Sequence, residues 1–168
     1  MKTYFAHMIR FALMLLPAII LFTSCEQENV EPELDAAPGG GTLTVYKAYT
    51  LDSIPGQNHI YGRVVFWRDN TKKTLVQVSL YNTASADIYP TGIYTGKAED
   101  DLLTELQPLY TVSGATGEFS TSKFYVITDK TFFDNLETYD AHVKILLQST
   151  VIASGDIGEN ATPVAASE

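Results

Sequence analysis

The sequence predicts an all-β protein: a single antiparallel, Greek-key-like β-sandwich with one short crossover helix, preceded by a signal peptide and a disordered tether. Three observations carry this expectation. Runs of β-branched and aromatic residues recur between turn signals about every eight to twelve residues, the rhythm of a sandwich or barrel. A single segment carries helical spacing. An apolar amino-terminal run ends at the only cysteine of the chain, Cys25.

The strands follow in order from Gly41. Thr42 to Leu51 is rich in Thr, Val and Tyr, and Ser53 to Asn58, with Pro55 and Gly56, is a turn. His59 to Arg68 alternates Gly62, Val64 and Phe66 on one face with Tyr61, Arg63, Val65 and Trp67 on the other. Asp69 to Lys73 is a hairpin loop, and Thr74 to Tyr81 sets Val76, Val78 and Leu80 on one face. Further strands are expected at Gly92–Thr95, Leu106–Val112, Phe119–Ile127, His142–Gln148 and Val151–Gly155. Between Phe119–Ile127 and His142–Gln148, Thr131 to Thr138 spaces Phe132, Phe133 and Leu136 for a helix, with Asp129 as its expected cap. The sandwich spans 42–158, a length that buries a core without disulfides, and the polar tail 159–168 is expected to be loose.

The amino terminus places the protein. Lys2 and Arg10 precede the apolar run Phe11–Phe22, which is broken by Pro17. That run is too short for a span, which needs about 20 apolar residues, and fits the core of a signal peptide over 1–24. Leu21-Phe22-Thr23-Ser24-Cys25 resembles a lipobox, with small residues before the cut and a thiol to carry diacylglycerol. Cys25 is thus the expected lipidation site, and the mature chain then has no cysteine for a disulfide, a metal or catalysis. Residues 25–41 read as an acidic tether, with Glu26, Glu28, Glu31, Glu33, Asp35, two prolines and Gly39-Gly40-Gly41. Acids just behind an acylated cysteine resemble the surface-export signal of Bacteroidota lipoproteins. The expected location is the outer membrane, lipid-anchored at the cell surface, with the periplasmic face as the alternative.

Charge excludes some partners. The chain carries 11 basic and 20 acidic side chains, and loss of Lys2 and Arg10 with the leader leaves 9 against 20, a net −11. Nucleic-acid binders need a basic footprint, and anionic lipid attracts Lys and Arg clusters. The membrane link is therefore the N-terminal lipid, and no nucleic acid is expected.

The order of motifs suggests a family. A strand ending near Trp67, a hairpin, the strand Leu75–Tyr81, then Tyr89-Pro90-Thr91-Gly92-Ile93-Tyr94 with Gly96 are followed by the helix, the strand His142–Leu147 and Ala153-Ser154-Gly155-Asp156-Ile157-Gly158. This resembles the CHRD domain, a β-sandwich module similar in outline to copper/zinc superoxide dismutase, over nearly all of 42–158. The resemblance implies a metal site built from a His-x-His pair and a later His. Those places fall here on Gly92, Tyr94 and Leu146, and glycine and leucine cannot bind a metal. The chain reads as a lipoprotein member of that group without the histidines, so neither metal nor cofactor is expected. His59 and His142 read as ordinary surface or satisfied histidines.

No other catalytic pattern stands out. There is no Gly-x-Ser-x-Gly elbow and no phosphate loop. Glu99-Asp100-Asp101 with Glu105 offers hard oxygens for calcium but not a known ligand spacing, and reads as a solvated turn. Asp52-Ser53-Ile54 resembles an O-glycosylation acceptor at Ser53, although a turn serine is the simpler reading. The aromatics remain. Trp67, Tyr61 and Tyr94 are the candidate binding surface for an envelope protein or a glycan, while strand packing favours a core place for Trp67. The expectation is a non-catalytic cell-envelope lipoprotein, a binding, adhesion or accessory module. The alternatives are a degenerate metal-dependent, superoxide-dismutase-like enzyme and a structural subunit of an outer-membrane complex.

Overall fold

The structure, a computed structural model, describes residues 43–57, 59–100 and 104–164. The expected signal peptide, Cys25 and the tether lie outside the described residues. Ten strands form the domain: β1 Val45–Ser53, β2 Tyr61–Arg68, β3 Thr74–Tyr81, β4 Ile88–Tyr89, β5 Thr91–Thr95, β6 Glu105–Pro108, β7 Val112–Ser113, β8 Tyr125–Ile127, β9 Asp140–Leu147 and β10 Thr150–Gly158. Eight of them make one antiparallel sheet in the order β6-β5-β9-β10-β1-β2-β3-β8, and β4 pairs with β7 in a separate ribbon. The sheet curls on itself into a half-barrel or sandwich, as the sequence predicts.

Alternation decides which faces meet. Tyr49 and Leu51 of β1, Val64 and Phe66 of β2, and Val76, Val78 and Leu80 of β3 lie in the core with Ile93 of β5. Ala141, Val143 and Ile145 of β9 and Ile152 and Ile157 of β10 join them. The two halves of the sheet therefore face each other across one core. Among the described residues they are continuous where β1 meets β10, through Asp52↔Ser154 and Ser53↔Ala153, with the Ile54 N–H donating to the Ile152 carbonyl at 3.0 Å. At the opposite end, β6 and β8 approach through side chains, the Gln107 Nε2 donating to the Tyr125 hydroxyl at 2.7 Å.

The helix crosses from β8 in one half to β9 in the other, as predicted. It is α1, Phe132–Asn135, continued by a 3-10 turn over Leu136–Thr138, and it buries Phe133 and Leu136. Its cap differs from expectation. Thr131 occupies the N-cap without a side-chain bond, and Asp129 instead closes a turn, its Oδ1 accepting from Thr131 N–H and Oγ1 at 2.8 Å each. The Asp129 carboxyl is held below its ordinary range by those same bonds to Thr131. Lys47, on the core-side parity of β1, reaches this helix: its Nζ donates to the Phe133 carbonyl at 3.3 Å, pairs with Glu137 at 3.4 Å and lies 4.9 Å from the Phe133 ring centre.

Other boundaries moved for physical reasons. Ser53 lies in β1 rather than in the turn, because β10 supplies it a partner. The predicted Phe119–Ile127 strand shortens to β8, since only Thr74, Leu75 and Val76 of β3 pair with it. β10 runs on to Gly158 along the whole of β9. The loose tail is tied down over its described part, where Glu159 N–H donates to Tyr139 and Val164 N–H to Ala48.

The β2–β3 hairpin depends on one carboxylate. Asp69 Oδ1 accepts from Thr71 N–H at 2.9 Å and Lys73 N–H at 2.7 Å. Asp69→Ala is expected to lower stability by about 1–2 kcal/mol by freeing these donors, measured by urea unfolding, while Asp69→Asn retains most of it.

Candidate functional site

The outer face of the β1-β2-β3-β8 half is the first candidate. Register places Tyr46, Trp67, Leu75 and Val126 in one row across the four strands. The Tyr46 and Trp67 rings lie 5.0 Å apart at 51°. At the far end of β2, Tyr61 and Tyr81 are cross-strand partners, stacked at 5.3 Å. Between the two aromatic pairs run the rows Thr50-Arg63-Ser79 and Ala48-Val65-Gln77, the second with Ala48 and Val65 buried, so two ring platforms stand about 20 Å apart along the strand. Tyr61 is 49% exposed, Tyr81 48%, Tyr46 37% and Val126 44%, which makes this a partly open aromatic face. Trp67 is only partly buried and stands outside the core cluster, so the core place expected for it is corrected. The reason is parity: Val64 and Phe66 of β2 face the core cluster, whereas Trp67 stands on the opposite face with Val65, which is buried outside that cluster.

Tyr94 does not join this surface. It sits on β5 in the other half, opposite His142 of β9, and the two rings stack at 5.9 Å and 23°. Burial pushes the Tyr94 phenol up, and the nearby Glu105 carboxylate adds to the effect. The predicted trio is therefore split, with Trp67 and Tyr61 on one outer face and Tyr94 on another.

Around Tyr94 the structure assembles a polar cluster that the sequence reading missed. Register sets Tyr94, His142 and Asp156 in one row, and Gly92, Lys144 and Ser154 in the next. By alternation these side chains point away from the core, yet His142 is fully buried and Lys144 nearly so. The cover is the strap Gly96–Asp100. His142 Nδ1 lies 2.7 Å from the Gly96 carbonyl oxygen, Lys144 Nζ donates to the Asp100 carbonyl at 2.9 Å, and Ala98 N–H donates to Asp156 Oδ1 at 2.6 Å. A carbonyl only accepts, so His142 carries its proton on Nδ1, and in the neutral ring Nε2 is a bare lone pair. That Nε2 is buried with no hydrogen-bond partner among the described residues. Burial lowers the His142 pKa below its ordinary 6.5; the bond to the Gly96 carbonyl opposes this by favouring the charged ring, as do Asp156 and Asp100, while Lys144 acts with burial.

Gly92, Tyr94 and Leu146 occupy the same sheet face as this cluster, by the parity of β5 and β9. Among the described residues no group of three His, Cys, Asp or Glu side chains is placed to hold a metal ion. Asp100, of the acidic run read as a calcium alternative, accepts Lys97 N–H at 2.8 Å and closes its own turn. Asp101 lies outside the described residues. Ser53 sits within a paired strand. No protein-family model, no curated protein and no solved structure matches this chain.

Proposed function

We propose that this protein is a non-catalytic cell-envelope lipoprotein: a CHRD-like β-sandwich, lipidated at Cys25, that binds an envelope protein or a glycan as an adhesion or accessory module. The reading rests chiefly on the outer face of β1, β2 and β3, where Tyr46 with Trp67 and Tyr61 with Tyr81 present ring surface on a rigid sheet. Aromatic rings supply contact area at low entropic cost and keep a polar tip for orientation. The leader pattern supports outer-membrane anchoring, and the acidic residues after Cys25 favour surface display.

The test is purification of the full-length protein from gently solubilised membranes, with mass spectrometry of what remains bound and a glycan array alongside. A companion or glycan signal is expected that falls at least tenfold in the double variant Tyr61→Ser/Tyr81→Ser, which removes two half-exposed rings and leaves the core intact. Binding that survives this variant and Trp67→Ala would move the contact elsewhere. Turnover of a small substrate, abolished by one polar substitution, would sink the non-catalytic reading.

A further inference from the structure

The strap Gly96–Asp100 is fastened to the outer face of β9 and β10 by side chains of opposite chemistry. Lys144 holds its Asp100 end, Asp156 its middle through Ala98 N–H, and His142 its beginning through the Gly96 carbonyl. Asn160 adds a contact from its Nδ2 to the same Gly96 oxygen at 3.5 Å, while also donating to Asp140 Oδ1 at 2.8 Å. Histidine is the side-chain type whose charge changes near neutral pH.

We infer that protonation of His142 releases the Gly96–Asp100 strap, so that this loop is a pH-operated latch. The geometry carries the inference. In the neutral ring, Nδ1–H meets Gly96 and the Nε2 lone pair needs no donor in order to stay buried. Adding a proton makes Nε2 a charged donor that has no acceptor among the described residues, and a buried, unpaired charge is costly. The charged groups around the ring do not supply that acceptor. Tyr94 of β5 stacks on the ring face, and Lys144 of β9 repels a cation. The Gly96 carbonyl and Asp156 of β10 favour the charge, but Gly96 meets Nδ1 rather than Nε2, and Asp156, bonded to Ala98 through Oδ1, makes no bond to the ring; Asp100 of the strap is turned to Lys97 through Oδ2. Glu105 of β6 acts on Tyr94. The imidazolium therefore gains most by reaching water, and the strap is the side of the cluster not closed by strands. Its release uncovers Lys144 and Tyr94.

The linkage has a definite sign. With the folded pKa lowered, the stability held by neutral His142 is present above 6.5 and is lost as pH falls below that value towards the folded pKa.

Nuclear magnetic resonance on the full chain tests the latch. The Ala98 amide proton, in a 2.6 Å bond to a carboxylate, marks the closed strap by its downfield shift. Between pH 8 and pH 5 the Ala98 signal is expected to move upfield in step with the His142 ring titration. It should stay still in His142→Phe, while His59→Gln behaves as wild type. Protonation of His142 with an unmoved Ala98 amide overturns the proposal. So does an identical transition in His142→Phe, or no change at either residue down to pH 4.5. If His142→Phe does not fold, the wild-type comparison of ring and amide midpoints decides alone: equal midpoints support the latch, and midpoints a pH unit apart refute it.

Discussion

Phe66→Ala is expected to cost about 3–5 kcal/mol, the range for truncating a fully buried phenylalanine. Phe66 is fully buried on β2, a central strand. Its ring meets Tyr49 of β1 edge-on at 6.1 Å and Phe132 of the crossover helix at 6.2 Å. The cavity would therefore open between two strands and the helix that joins the two halves. Domains are commonly stable by about 5–15 kcal/mol in total, so a third or more of the margin is at stake. Urea unfolding should show a lowered midpoint at an unchanged slope. A loss below about 1 kcal/mol, the scale of an Ile→Val change, would mean the core is slack and can collapse onto the gap.

Gly155→Ala should damage the fold in another way. Gly155 lies on β10 just past the two register pairs that join the halves of the sheet. A β-carbon there would run into the carbonyl oxygen of Thr50 and come within 3.2 Å of Leu51 Cδ2, both on β1. The first of these is backbone and cannot rotate aside, so β1 and β10 must separate. Overpacking typically costs about 1–3 kcal/mol, and here the strain falls on the narrowest part of the sheet. Besides a lowered urea midpoint, hydrogen exchange should quicken at the Ile54 amide, which bonds across the join, while amides between β2 and β3 keep their protection. Unchanged exchange at Ile54 would show that the strain is absorbed elsewhere.

What was readable from the sequence was local. The strand Thr74–Tyr81 was bounded to the residue because Val76, Val78 and Leu80 alternate cleanly between turn residues. The two faces of β2 were sorted by the same period. The helix was found because Phe132, Phe133 and Leu136 break that period. What failed depended on neighbours distant in sequence. Trp67 and Phe66 are both large apolar residues on one strand, and only the curl of the sheet says which of them faces inward. Ser53 became a strand residue because β10, a hundred residues later, lies beside it. The polar cluster was the largest miss. His142 and Lys144 alternate with Val143 and Ile145, which reads as an ordinary solvated outer face. Their burial comes with the Gly96–Asp100 strap, and nothing in the residues of β9 announces it. The clue available was the placement of two basic residues on one strand face with Asp156 two residues before Gly158, and it becomes informative only once β5, β9 and β10 are known to be adjacent.

The register of β1 with β2 also has a mechanical meaning. Seven residue pairs, from Val45↔Arg68 to Leu51↔Gly62, join the two strands. A pull arriving at Val45 and resisted by a partner held on Tyr61 and Tyr81, as proposed, would act along these strands from opposite ends. All seven rungs would then bear the load together, in shear, and none could be peeled off ahead of the others. A molecule held at one end and gripped at those rings would thus yield late and abruptly under tension, with its lifetime set by the barrier to sliding β1 past β2.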